Sequence, residues 1–322
     1  MSNVTKNLLG AIAGLFASAV LTSNVTAQNV FEQRDIVNAG TVGVISGGVT
    51  GTYVRIASDL SNALDSGYDH RVMAVLGKGS IRNIEDLLLL KGIDIAIVQS
   101  DVLDFYKAAG VYPNVENKVT YIAKLYEEEV HLLTRTDINN VSELAGKKVN
   151  FGTQGSGTFM TAGIVFESLD IDVEVTTDSE LIALDKLRNG EIDGLVFVGG
   201  KPLNLLSQIG SDEGLQLVSI LPDAVEGAYI GSVLTSDDYP NLIAAGGEVP
   251  TVAVGAVMAA YNWDPESDRY RKVKGFVDRF FDNIETLKEA PYHPKWQEVD
   301  LQEDLPGWNR FGPAADKLAT MQ

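Results

Sequence analysis

Residues Thr41 to Leu64 read TVGVISGGVTGTYVRIASDLSNAL, a stretch whose period changes midway. Thr41 to Ile45 is apolar and β-branched, which suits a buried strand. Ile56, Ala57, Leu60, Ala63 and Leu64 then recur at helical spacing and predict a helix with one apolar face. A glycine loop joins the two. Gly47, Gly48 and Gly51 let the backbone come close to another molecule, and Thr50 and Thr52 put hydroxyls where a helix leaves its first N–H groups unpaired. Such a strand, loop and helix is a site for an anion. Two better-known phosphate motifs do not fit. A dinucleotide fingerprint needs a glycine where Ser46 stands, and a phosphate loop needs a lysine where Thr52 follows Gly51. A tight strand-to-helix turn with no ligand is the plain alternative.

The loop has echoes further along. A second strand, Arg71 to Val75, leads to a turn with Gly77, Lys78, Gly79 and Ser80, and Ser80 is expected to cap a helix carrying Ile81, Ile84, Leu87 and Leu88. A third strand, Ile93 to Val98, ends in Gln99-Ser100-Asp101, where Asp101 is expected to be a plain N-cap. Strands near Val119 to Ala123 and Val130 to Thr134 follow, and then the pattern restarts. Lys148 to Phe151 runs into Gly155-Ser156-Gly157-Thr158 and a helix through Ile164, Val165 and Leu169. Leu90 to Asp94 is matched by Leu187 to Asp193, each ending a helix and opening an apolar strand. Leu195 to Val198 then reaches Gly199-Gly200, at the place of Gln99-Ser100. Two similar α/β lobes with opposed glycine loops are implied, because ligands of open α/β sheets sit beyond the carboxyl ends of the strands. Pro222 to Pro250 reads as acidic and irregular, and Val252 to Tyr261 as a long strand returning to the first lobe. Val273, Phe276, Val277, Phe280, Phe281 and Ile284 give an amphipathic helix, and Trp296, Trp308 and Phe311 are expected to pin the final segment to the body.

The 322 residues, 45% of them hydrophobic, suffice for two lobes with ordinary cores. Lys6, the apolar run Leu8 to Leu21 and Val25-Thr26-Ala27 read as a signal peptide cut before Gln28, with a membrane anchor as the alternative. Export to the periplasm is therefore expected. A net charge of −19 makes nucleic acid and anionic membranes poor partners, so an anion needs a local concentration of donors. There is no cysteine, and His70, His131 and His293 lack metal-ligand spacing, so neither a thiol nor a metal site is expected. No cofactor is expected either. Ser156 lacks the flanking glycines of a nucleophile elbow, since Gln154 and Thr158 stand there, and no catalytic constellation is visible. Binding rather than catalysis is the expectation.

GGVTGTY, IAIVQSD, GTQGSGT and LVFVGGKP, in that order behind a signal peptide, resemble the TAXI class of solute-binding proteins that serve TRAP transporters. The likeness covers nearly all of the mature chain. It implies a two-lobed periplasmic-binding-protein-like fold of type II, with lobe one at 28–129 and 252–322, lobe two at 130–251, and a ligand held between them. It also implies a monomeric receptor that hands a small organic acid or amino acid, of dicarboxylate, 2-oxoglutarate or glutamate type, to TRAP permease subunits. Tyr53-Val54-Arg55-Ile56 stands where the family commonly has a second tyrosine and a proline, and Phe311-Gly312-Pro313 replaces its usual His-Pro-Gly. The candidate ligand contacts are Gly48, Val49, Thr50, Thr52, Tyr53, Arg55, Lys78, Gln99, Ser100, Ser156, Gly157, Thr158, Gly199 and Gly200. Arg55, in the first turn of its helix, is expected to grip a ligand carboxylate or else to pair with Asp59 one turn on. A ligand-sensing subunit of a signalling receptor and an exported hydrolase are the alternative functions.

Overall fold

The computed structural model describes residues 32–67, 69–225 and 229–321, and the predicted leader at residues 1–27 lies outside them. Strands β1 (Thr41–Ile45), β2 (Arg71–Val75) and β3 (Ile95–Gln99) run parallel. Helices α1 (Thr52–Leu64), α2 (Ser80–Leu89) and α3 (Val102–Ala109) follow them in turn. α1 forms because Ile56, Ala57, Leu60 and Leu64 share one stripe, and all four are buried. Asp94 fixes the entry to β3. Its N–H donates to the Gly43 carbonyl at 2.9 Å, and its Oδ2 accepts from the Gly43 N–H at 3.0 Å.

β4 (Val119–Arg135) is a single strand of 17 residues where two short strands are predicted. The reason is a succession of paired neighbours, residues 253–261 as far as Glu129 and residues 194–199 from there on. Glu127, Glu128 and Glu129 would break an exposed strand of this pattern, yet here they pair with Gly255, Val254 and Ala253 of a neighbouring strand. The second unit then repeats the first. β5 (Lys148–Asn150), α4 (Gly157–Ser168), β6 (Glu174–Thr176), α5 (Glu180–Arg188) and β7 (Gly194–Gly199) give parallel pairs of β5 with β6 and β7. Asp193 reproduces the role of Asp94: its N–H donates to the Lys148 carbonyl at 2.7 Å, and its Oδ2 accepts from the Lys148 N–H at 3.2 Å. Gly92 and Gly190, with φ of +90° and +72°, make the two equivalent turns.

β8 (Leu215–Leu217) adds to β4, and β9 (Ile230–Thr235) adds to β10 (Glu248–Tyr261). β9 falls in the stretch expected to be irregular. Its sequence IGSVLT does not alternate apolar with polar residues, and only Leu234 is buried, so no apolar alternation marks it in the sequence. β10 pairs with β9 up to Ala253 and with β3 from Ala256, while β4 pairs with β7 only from Glu129. The whole sheet runs β2-β1-β3-β10-β4-β7-β5-β6, so β4 and β10 are the strands common to both halves. This is the two-lobed α/β architecture expected. α6 (Asp268–Asp282) packs Val273, Phe276, Val277 and Phe280 into the core shared with α1. β11 (Asn309–Arg310) joins β4, and α7 (Gly312–Met321) closes the chain. Trp296 is fully buried with its Nε1–H donating to Asp59, and the Trp308 Nε1–H donates to the Ser100 carbonyl at 2.8 Å. The aromatic residues of the final segment thus anchor it as their composition suggests.

Candidate functional site

The amino ends of α1, α2 and α4 converge on one small cavity of about 50 Å³. Gly48, Thr50, Thr52 and Tyr53 line it from the first glycine loop, and Lys78, Gly79, Ser80 and Gln99 from the ends of β2 and β3. Ser156, Gly157, Thr158 and Glu180 line it from the other half. The volume has room for only a few waters or a ligand group of a few heavy atoms.

The two halves touch directly around this space. The Arg82 N–H donates to the Gly155 carbonyl at 3.0 Å, and Thr52 Oγ1 donates to the Gly200 carbonyl at 3.2 Å. Thr50 Oγ1 donates to Glu180 Oε2 at 3.4 Å. Glycine is required where they meet: a Cβ on Gly157 would lie 1.8 Å from Gln99 Oε1, and one on Gly79, at φ +107°, would lie 3.1 Å from the backbone of Ser156 and Gly157. The conformation is closed.

Within the site most hydroxyl and carboxyl groups have a defined partner. Ser156 caps α4, its Oγ accepting the Phe159 N–H at 3.0 Å. Thr158 Oγ1 accepts the Val198 N–H at 3.2 Å. Ser80 does not cap α2 as expected. Its Oγ accepts the Gln99 N–H at 2.9 Å and donates to Gln99 Oε1 at 3.2 Å, because β3 packs close enough to compete for it. On the lining from β4 lies Glu128, buried, its Oε2 accepting from the Tyr53 hydroxyl at 2.7 Å. Burial, helped by the charges of Glu129 and Asp101, pushes the Glu128 carboxyl up to about 8, so it holds a proton near neutral pH. Glu129 next to it is compensated, with Lys295 Nζ at 3.0 Å and the Lys201 N–H donating at 3.0 Å.

Some sequence candidates take other places. Val49 and Arg55 line an adjoining hollow of about 380 Å³ with Pro202, Asn204 and His293, which shares Thr50, Gly51 and Thr52 with the cavity. Arg55 is exposed, and Asp59, its expected partner, turns inward to accept the His293 N–H at 2.9 Å and the Trp296 Nε1–H at 3.0 Å. Ser100 serves the frame: its N–H donates to the Gly255 carbonyl at 2.8 Å. Gly199 and Gly200 form the lobe contact with Thr52 rather than a wall of the cavity. Asp101 stands at the N-cap position of α3 without capping it. Its Oδ2 accepts instead from the Tyr229 hydroxyl at 2.7 Å and Thr161 Oγ1 at 3.3 Å. Glu128 and Glu180 are absent from the sequence candidates. For Glu128 a signal exists, since three glutamates inside an apolar strand are costly to bury without a purpose.

Opposed loops, a closed interface and a cavity shared by both halves define the fold of a two-lobed solute-binding protein. The chain belongs to the NMT1-like family, which it matches over residues 44–307. Among solved structures it is similar to the periplasmic binding protein BugD, with 13% identity and a TM-score of 0.53 over 87% of this chain and 93% of that one. It is also similar to a structure from Bordetella bronchiseptica RB50, with 13% identity and a TM-score of 0.51 over 88% of this chain and 81% of that one. A substrate-binding protein of an ABC uptake transporter from Streptococcus pneumoniae, with bound histidine, matches at 15% identity and a TM-score of 0.49 over 85% and 95% of the two chains. At these identities the likeness concerns the fold. Among the described residues no helix is long and apolar enough to cross a membrane.

Proposed function

We propose that this protein is the periplasmic receptor of a TRAP-type transporter, of the TAXI class, which captures a small organic acid between its lobes and delivers it to membrane permease subunits. The observation that carries this reading is the cavity itself, lined by helix amino ends from both halves and closed by contacts between them. Such ends supply N–H donors and a positive dipole for a carboxylate, and Lys78 is the basic side chain on the lining. We place lobe one at 28–129 with 252–322 and lobe two at 130–251. The hinge then falls where β4 and β10 change partners.

Within the acid class a small amino acid with a single carboxylate fits better than a dicarboxylate. Glu180 also lines the cavity, so a second carboxylate would meet another acid there, whereas an ammonium group would be attracted. The test is a thermal-shift screen of amino acids, dicarboxylates and 2-oxoglutarate against neutral sugars. A ligand at 100 times its dissociation constant adds about 2.7 kcal/mol of stability, a readily visible shift. Shifts with sugars alone would remove the acid reading.

A further inference from the structure

A second hollow, about 680 Å³ in volume, lies between α3 and α4 and shares no lining residue with the glycine-loop cavity. Phe105 of α3 and Phe159, Met160 and Ile164 of α4 supply apolar walls. The sequence of α4, GTFMTAGIVFES, carries apolar residues all round its circumference, a pattern that calls for cover on every side. Here Phe159 and Ile164 are only half covered, and a Cβ on Gly163 would meet nothing within 4 Å.

The charges in this hollow are all of one sign. Asp101, Asp104 and Glu167 line it, and no basic side chain does so among the described residues. Asp101 is the one that matters most, because it is 4% exposed and its Oδ1 has no hydrogen-bond partner. Burial pushes its carboxyl up to about 6, which leaves it ionised at pH 7. A buried carboxylate beside apolar walls attracts a cation most strongly once an apolar body seated on those walls has displaced the water between them.

We propose that the hollow between α3 and α4 is a second binding site, for a small amphiphilic amine whose ammonium balances the Asp101 carboxylate while its apolar body covers α4. The volume suits a small molecule. Because α3 and α4 belong to the two halves, an amine seated there bridges them. The hydrogen bond from Thr161 to Asp101 already does so at 3.3 Å. Occupancy therefore favours the closed conformation and tightens the glycine-loop site, and by reciprocity the ligand of that site tightens the amine.

Titration calorimetry of the full chain at pH 7 with tryptamine, tryptophol and indole-3-acetate tests this, since the three share one apolar body and differ in charge. Tryptamine should bind at least tenfold more tightly than tryptophol, and indole-3-acetate should not bind to this hollow. Gly163→Leu fills the hollow from a helix position with open space beside it, so it should abolish tryptamine binding while the melting temperature is kept. Asp101→Asn should weaken tryptamine at least tenfold. Absence of tryptamine binding, equal binding of the alcohol, or unchanged binding by the Gly163→Leu protein would each overturn the proposal.

Discussion

Glu128 sits 2% exposed on the lining of the glycine-loop cavity, and its protonation is a property that the rest of the protein must accommodate. Its carboxyl rises from the ordinary 4.5 to about 8, mainly through burial. In that interval the folded chain holds a proton that the unfolded chain has released, so stability falls as pH rises and levels off above about 8. Asp101, raised to about 6, acts in the same sense at lower pH, and His131, lowered to about 4 by burial, acts oppositely below the ordinary histidine value of 6.5. In the window from pH 6.5 to 8 the difference between the parent and a Glu128 variant therefore reports Glu128, since His70, His131 and His293, all lowered by burial, act alike in both proteins near 6.5. Across it the parent should lose on the order of 1–2 kcal/mol and Glu128→Gln should lose much less, as read by urea unfolding at each pH. Parallel curves for the two proteins would refute the assignment. Tyr53→Phe removes the donor to Glu128 and should cost about 1–3 kcal/mol, the penalty for a buried group left unpaired. Glu128 is hard to find from sequence for the same physical reason that makes it informative. A charged residue inside an apolar run signals a strand break in most contexts, and its pairing with Val254 of β10 keeps β4 whole.

At the scale of elements, the strand-to-helix units were legible because each carries its own period and its own glycine turn. β1, β2 and β5 lie where their apolar runs put them, and the turns before Asp94 and Asp193 were visible as repeated sequence. What was not legible depends on neighbours distant in the chain. Ser80 bonds to Gln99 rather than to its own helix, Asp101 reaches Thr161, and Arg55 loses Asp59 to Trp296. The amino end of α4 gives a prediction at this scale. Gly157→Ala would drive a Cβ to 1.8 Å from Gln99 Oε1 and 2.6 Å from Ser80 Oγ, an overlap relieved by parting the two halves or by breaking the Ser80–Gln99 bond and turning the buried Gln99 side chain. Each half should still fold, with an overpacking cost of about 1–3 kcal/mol, while affinity for the acid falls at least tenfold. Ser156→Ala, which removes the cap of α4 without adding bulk, should cost about 1 kcal/mol by urea unfolding. Equal affinities for the Gly157→Ala and parent proteins would show that the contact is not needed for capture.

For the whole molecule the question is what holds the two halves together without a ligand. The direct bonds between them include Arg82 to Gly155, Thr52 to Gly200, Thr50 to Glu180, Thr161 and Tyr229 to Asp101, and Lys201 to Glu129. A bond between neutral groups has a net worth of about 0.5–1.5 kcal/mol and one to a charged group about 1.5–3 kcal/mol, because water replaces it when the halves part. β4 and β10 join the halves and stay paired throughout, and the register of that pair shifts between Gly255 and Val257, where bending is least costly. Opening therefore leaves both cores intact. A ligand shifts this balance only by its preference for the closed form, and a move from 1:99 to 99:1 takes about 5.5 kcal/mol of differential binding. Small-angle scattering should accordingly find the unliganded protein more extended than the closed structure and show it contracting as a ligand found in the acid screen is added. Gly157→Ala, in which closure must displace the Gln99 side chain, should contract less at the same ligand concentration. A parent protein whose scattering is already that of the closed form, and is unchanged by a ligand proven to bind, would mean that the lobes are locked and that entry occurs by local movement of the Gly47 to Gly51 loop.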